Sequence, residues 1–266
     1  MFLKESINKS FFDKNGYVLL DTNLSDNPSF NNLINEIESS LSEEIRYSNI
    51  EKLGGYIMGN FGINQGPFGS KLHSLVFMEK FVSYFENLTS KKIDLFDINF
   101  GGNVTLPKKG AQIFHTDGNY QQEMYLISIA TEDITLANGP TEVCVGSHLR
   151  SMSFDEFFFS KKDKKKLTMK KGQILIRKHN LWHRGTKNFS NKQRLLLSFI
   201  MIPKMRKIEL QPYSDNLKIL PNFFKNNIIG RIHETIYVKF SFLIIFTKLL
   251  VSFSKKILIK KNKKSI

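Results

Sequence analysis

The apolar positions of this chain change period several times, and each change marks an element. Residues 11–20 read as a helix or loop running into a short strand, with Gly16 as the break. From Leu24 to Glu44 the period is helical: Ile34, Ile37 and Leu41 fall on one face, and Asn27 followed by Pro28 suits a cap and a first helical position. Lys71 to Thr89 repeats the pattern with Leu72, Leu75, Val76, Phe81, Val82 and Phe85. The period then drops to two. Phe96, Ile98 and Phe100 alternate in a strand over 95–106 that Gly101-Gly102 interrupts. Shorter strands are predicted at 113–117, 124–130, 141–145, 172–177 and 193–202. Two helices followed by many short strands predict a mainly β fold with flanking helices, a double-stranded β-helix of the jelly-roll, cupin-like kind.

Pro203 ends the last strand, so the predicted barrel domain covers 1–205 and a C-terminal extension covers 206–266. Residues 48–69, rich in Gly and Asn, read as a long loop near the barrel mouth. Residues 151–169 read as an excursion, with Phe154, Phe157, Phe158 and Phe159 beside a run of lysines on a solvated surface. In the extension, 240–253 is almost wholly apolar, with Ser241, Lys248, Ser252 and Lys255 on one helical face. It is too short for a bilayer span, which needs about twenty residues. Two readings stay open: an in-plane interfacial helix drawn to anionic lipid, or a helix packed on the barrel or on a second subunit.

With 41% hydrophobic and 12% aromatic residues the chain can bury a core. Its net charge is +15, but unevenly spread. From Arg231 onward nine Lys or Arg face one acidic residue, Glu234, which gives 9 − 1 = +8 and leaves +7 for the rest. The basicity is therefore a tail and a loop around 161–166, not a recognition helix, and no nucleic-acid partner is expected. The lone cysteine, Cys144, cannot form an intramolecular disulfide and sits in an apolar run, which predicts a buried structural thiol in a reducing compartment. The N-terminus shows no apolar signal segment. These features predict a cytoplasmic protein, and the interfacial reading of 240–266 would add a peripheral contact at the inner face of the membrane.

The candidate chemistry lies in two short stretches. In Phe114-His115-Thr116-Asp117-Gly118 the His and Asp are two apart, so on a strand both side chains point the same way. A distant His183, in Trp182-His183, completes two imidazoles and a carboxylate, a donor set that holds Fe(II) on one face and leaves the other positions open. Arg194 could then grip the far carboxylate of 2-oxoglutarate in bidentate fashion. The bland alternatives are a surface Asp117 beside a buried His115, and a salt-bridging Arg194. Other histidines are decoys. His179 precedes His183 by four residues, the spacing of a helical zinc pair, but no Glu follows it and the segment is strand-like. His73 lies on a predicted helix and suits packing.

Four blocks, in order over residues 10–205, resemble the phytanoyl-CoA dioxygenase family of Fe(II)/2-oxoglutarate-dependent oxygenases. They are Phe12-Asp13-Lys14-Asn15-Gly16-Tyr17-Val18-Leu19-Leu20, then Phe114-His115-Thr116-Asp117, then Asn138-Gly139-Pro140 leading to Gly146-Ser147-His148. The last runs from Lys171-Gly172 through Trp182-His183 and Asn188 to Arg194. The resemblance implies iron at His115, Asp117 and His183, 2-oxoglutarate at Arg194, and O₂ as co-substrate. It implies hydroxylation of an unactivated C–H in a small-molecule or lipid-linked substrate, with release of succinate and CO₂. Asp117 favours hydroxylation, because members of the wider class that halogenate lack the carboxylate. His148 belongs to loop architecture in this reading. There are departures. Gln173 and Val145 stand where the family usually has Asp and Pro, and Arg177-Lys178-His179 is basic where it tends to have Phe-Asp-Gly. Gly185 stands where some members place a Ser that helps bind 2-oxoglutarate. Two other function classes remain: a catalytically inactive jelly-roll binding module, and an oxygenase acting on nucleic acid.

Overall fold

A computed structural model describes residues 8–118, 123–204, 215–220 and 224–262, with side chains described to residue 254. The strands among them are β1 (Tyr17–Leu20), β2 (Asn60–Asn64), β3 (Phe96–Thr105), β4 (Tyr125–Ala130), β5 (Thr141–Cys144), β6 (Lys164–Leu167), β7 (Ile174–Lys178), β8 (His183–Gly185), β9 (Arg194–Pro203) and β10 (Lys218–Ile219). The helices are α1 (Lys9–Asn15), α2 (Pro28–Tyr47), α3 (Phe68–Val76), α4 (Glu79–Thr89), α5 (Phe154–Phe158), α6 (Ile228–Lys239) and α7 (Ser241–Asn262).

The strands form two antiparallel sheets. A seven-stranded sheet has the order β1-β7-β4-β9-β3-β2-β10, and a three-stranded sheet the order β6-β5-β8. Because β4 lies between β7 and β9, neighbours in the large sheet are distant in sequence, as jelly-roll winding requires. One face of the large sheet meets α2, α3 and α4. Phe30, Ile34, Ile37 and Leu41 from α2 and Phe81 and Phe85 from α4 join Ile127, Ile176, Leu197 and Phe199 in a continuous core. Each such fully buried side chain contributes about 1.5–3 kcal/mol. Between the sheets a smaller cluster joins Tyr17, Ala130 and Leu175 to Val143, Leu167 and Leu181. The architecture is the mainly β jelly roll with flanking helices that the periodicity predicts.

Several elements differ from the sequence reading in detail. The helical run 71–89 is two helices, parted at Phe77-Met78. The Gly pair does not break β3, which pairs without interruption with β9 from Phe96 to Thr105. A Cβ at Gly102 would lie 2.7 Å from the Leu196 carbonyl, so glycine lets two strands and the Ile63 side chain approach closely. The Gly- and Asn-rich 48–69 contains β2, whose Phe61 and Ile63 are buried, and the lysine run contains the edge strand β6. Residues 113–117 form no ladder beyond a bridge between His115 and His183. The turn at 212–216 and Asn119 lie largely outside the described residues.

Candidate metal and co-substrate site

His115 and His183 are brought together by the backbone. Each donates its amide N–H to the other's carbonyl at 2.9 Å, a hydrogen-bonded antiparallel pair. Residues directly opposite in such a pair project to the same face, and the two rings stand with centroids 4.5 Å apart. Asp117, two residues on, is tied by its amide to the His179 carbonyl at 3.0 Å. The His115 Nε2–Asp117 Oδ1 distance is 3.8 Å and the His183 Nε2–Asp117 Oδ2 distance is 3.5 Å. One donor atom from each of the three lies within 4.8 Å of the others.

The tautomers follow from the neighbours. Nδ1 of His115 is 2.9 Å from the Ile113 carbonyl, and Nδ1 of His183 is 2.9 Å from the Leu181 carbonyl. A carbonyl can only accept, so both protons sit on Nδ1 and both Nε2 atoms are the basic nitrogens. Burial holds both imidazoles neutral: it lowers His115 below its usual value and, with the Arg177 guanidinium adding repulsion, lowers His183 to about 3. Burial would raise the Asp117 carboxyl, but Arg177 and the two imidazoles outweigh it and hold it well below the usual carboxylate range. Two neutral imidazoles and a carboxylate converging on one point fit a divalent first-row metal such as Fe(II).

Arg177 comes from the facing sheet. Its Nη2 donates to Asp117 Oδ2 at 2.6 Å, and its Nη1 lies 3.4 Å from His183 Nδ1. The basic departure at 177 is thus a buried guanidinium touching two of the three donors. Its signals in the sequence are that departure and its place directly after the apolar Ile174-Leu175-Ile176.

Arg194 opens β9 opposite Thr105 of β3. It is 3% exposed, and its Nη2 donates to Thr105 Oγ1 at 2.8 Å. Its Nε is buried without a hydrogen-bond partner, and among the described residues no carboxylate lies within 4.0 Å of the guanidinium. Burial lowers its pKa to about 10, partly offset by Glu132, so it stays charged at neutral pH. A buried cation with an orphaned donor calls for an anion, and a carboxylate matches the guanidinium fork. The residues fit 2-oxoglutarate.

The turns between these donors explain the other motif residues. Asn188 Nδ2 donates to the Lys192 and Thr105 carbonyls at 2.8 and 3.3 Å, and Ser190 Oγ donates to Asn188 Oδ1 at 2.7 Å, so the pair orders the loop from His183 to Arg194. A Cβ on Gly139 would meet the Thr186 carbonyl at 2.8 Å, where φ is +86°. His148 is not a ligand here: its Nε2 lies 2.9 Å from the Asp13 carbonyl and its ring packs against Gly16. His179 Nδ1 lies 3.1 Å from the Met124 carbonyl, His73 stacks on Phe77 with centroids 4.4 Å apart, and Cys144 is fully buried, its thiol pushed up by that burial.

Beside His115 lies a cavity of about 530 Å³, walled by Phe114, Phe154 and Trp182 and covered by Thr247, Lys248 and Val251 of α7. Phe154 therefore shapes the space near the site. The 48–69 stretch contributes instead through Asn60, which sits against Gly185 and beside Asn103.

In the comparison with solved structures the chain is similar to the non-haem α-ketoglutarate-dependent carbocyclase SnoK from nogalamycin biosynthesis, at 14% identity and a TM-score of 0.59 over 80% of this chain and 94% of that one. It is similar to EctD from S. alaskensis with 2-oxoglutarate and 5-hydroxyectoine, at 14% identity and a TM-score of 0.60 over 80% and 83%. It is also similar to the epimerase SnoN in complex with Fe³⁺, α-ketoglutarate and nogalamycin RO, at 11% identity and a TM-score of 0.57 over 81% and 94%. No curated protein matches the chain in sequence. Residues 69–196 match the sequence model of phytanoyl-CoA dioxygenase, a segment that contains His115, Asp117, His183 and Arg194. Residues 69–196 are thus a phytanoyl-CoA dioxygenase domain, of the Fe(II)/2-oxoglutarate-dependent oxygenase class.

Proposed function

We propose that the protein hydroxylates an unactivated C–H of a small-molecule or lipid-linked substrate, using Fe(II), 2-oxoglutarate and O₂. The observation that carries this reading is the convergence of His115, Asp117 and His183 within 4.8 Å, in one family domain with the orphaned, buried Arg194. Fe(II) held there with 2-oxoglutarate would activate O₂, the oxidant, one oxygen atom going to the substrate C–H and the other to succinate, with release of CO₂. His115 and His183 offer Nε2 because the Ile113 and Leu181 carbonyls hold their Nδ1 protons. Asp117 offers a carboxylate that Arg177 keeps ionised and oriented. Arg194 binds the carboxylate of 2-oxoglutarate remote from the metal, with Thr105 fixing the guanidinium plane. The retained carboxylate supports hydroxylation over halogenation, whereas solved neighbours named as a carbocyclase and an epimerase mark the alternative outcomes.

The test is succinate formation from 2-oxoglutarate by anaerobically purified protein given Fe(II) and then O₂. Turnover that His115→Ala abolishes supports the reading. Failure of the protein to take up Fe(II) would overturn it in favour of an inactive binding module.

A second part of the proposal concerns place. The outward faces of α6 and α7 expose Ile228, Ile229, Ile232, Phe242, Phe246 and Leu250, in a segment whose charge is +8 from Arg231 onward. An exposed apolar face with a lysine-rich tail suits an anionic bilayer surface. No single helix among the described residues is long and apolar enough to cross a membrane. On this reading the protein works at the cytoplasmic face of the membrane.

A further inference from the structure

The C-terminal helices are fixed to the core on both sides of the candidate metal ligands. Tyr237 of α6 accepts the Ile113 amide at 2.6 Å, two residues before His115. Fully buried Glu234 accepts the Met58 amide at 2.9 Å and the Arg231 guanidinium at 3.0 Å. On the far side, the Asp155 carboxylate in the first turn of α5 accepts from Ser252 of α7 and from Ser153. Between these clasps α7 spans the cavity beside His115.

The lining of that cavity is selective. Its walls are the rings of Phe114, Phe154 and Trp182. Among the described residues its ionisable lining groups are His115 and Lys248. The ammonium lies 5.2 Å from the Phe154 ring centroid, a cation–π contact. Among the described residues no carboxylate lies within 4.0 Å of it. Lys248 and His115 line the same cavity, so the two groups face a common space. The aromatic wall continues through Phe114 and Phe154 into a second cavity of about 270 Å³, lined also by Tyr237 and Ile245, where Arg184 is paired with Glu142 at 2.6 Å and Lys164 lies over the Phe114 and Phe157 rings. In the cavity beside His115, aromatic walls with the Lys248 ammonium at the rim suit a ligand that has an apolar body and an anionic group.

We propose that α7 forms the roof of the substrate pocket and that Lys248 binds an anionic group of the substrate, a carboxylate or a phosphate, while the substrate's apolar body lies against Phe114, Phe154 and Trp182. This rests on the oxygenase reading only for the word substrate; the pocket itself can be tested alone.

Trp182 is the single tryptophan of the chain, so its emission reports occupancy of this cavity. The full-length protein is titrated with decanoate, decyl phosphate and decanol. The parent is expected to bind at least one anion about tenfold tighter than decanol, the equivalent of ~1.4 kcal/mol. Lys248→Met should erase that preference while leaving decanol binding unchanged, and Lys248→Arg should keep it. The stronger of the two anions identifies the headgroup. Equal binding of all three probes by the parent, or an unchanged preference in Lys248→Met with an unchanged melting temperature, overturns the proposal. Fe(II) uptake by the parent is measured in parallel. Anion binding through Lys248 without Fe(II) uptake sustains the pocket and overturns the oxygenase reading, so the two failures are distinguishable.

Discussion

Arg177 of β7 and Asp117 form a 2.6 Å ion pair, with the guanidinium side chain 8% exposed and the carboxylate 28%. The same carboxylate is one of the three converging donors, so a fixed cation and a metal ion would share it. Most outer partners of a metal ligand are anionic or neutral and strengthen it. A guanidinium instead neutralises the carboxylate before the metal arrives and repels the metal afterwards.

Arg177→Met therefore has two opposite effects. Without metal, Asp117 loses its counter-charge; allowing for its partial exposure, the loss is about 2 kcal/mol, below the range for a fully buried pair. With Mn(II) present, the dication replaces the missing charge and no longer meets repulsion. The expected result is a lower melting temperature for the metal-free variant and a larger Mn(II)-induced rise than in the parent. An equal rise in both proteins would show that Arg177 and the metal do not compete for Asp117.

For Arg194 the cost runs the other way. Its buried Nε has no partner among the described residues, a donor that 2-oxoglutarate would satisfy. Arg194→Met should leave the ligand-free melting temperature equal or higher while removing the rise that 2-oxoglutarate produces in the parent. Arg194→Lys keeps the charge but loses the fork, and should raise KM for 2-oxoglutarate roughly tenfold or more, with a smaller change in kcat. Thermal shift with and without 2-oxoglutarate, followed by succinate kinetics, reads both. A 2-oxoglutarate-induced rise that survives in Arg194→Met would place the anchor elsewhere.

His148 gives the chain a pH-dependent stability term away from the site. Burial, with Lys178 nearby, lowers its pKa from 6.5 to about 4, and its Nε2 proton is taken by the Asp13 carbonyl at 2.9 Å. The folded form resists protonation while the unfolded chain accepts it near 6.5. Stability from this group is therefore complete above pH 6.5 and falls as pH drops towards 4. Between pH 7 and pH 5 the loss is about 2 kcal/mol. His148→Gln, which can still donate to Asp13, should show a correspondingly flatter denaturation profile. Parallel profiles for parent and variant would remove His148 as the source.

The candidate donors stand out in the sequence because their pattern is local. Period two puts His115 and Asp117 on one side of an extended segment, and the Asn188 and Ser190 hydrogen bonds that order the return to Arg194 are themselves short-range. Arg177 and Lys248 were not legible as site residues. Each reaches the site from another element, one from β7 and one across a helix pair, and no local pattern encodes such a meeting. The same holds for β2, whose Gly62 and flanking Asn residues read as loop until pairing with β3 supplies the partner strand. Elements whose stability is tertiary rather than intrinsic leave a weak trace in one sequence.

The outer face of α7 supplies the last prediction. Phe242, Phe246, Leu250 and Phe253 are spaced by four, four and three residues, so they share one helical face, and each is between 45% and 63% exposed. The residues that clasp the core, such as Ser252 and the pocket-lining Lys248, serve the other role of the helix. Bilayer docking and pocket roofing are thus separable on one helix. Phe246→Ser with Leu250→Ser should reduce binding to phosphatidylserine-containing phosphatidylcholine vesicles by roughly tenfold or more, since each large apolar side chain withdrawn from water contributes about 1.5–3 kcal/mol. Decanoate quenching of Trp182 should be unchanged in the same variant. Binding to the vesicles should also weaken as salt rises, because the lysines act through a screened field. Undiminished, salt-independent vesicle binding by the double variant would remove this face as the docking surface and leave α7 with the pocket alone.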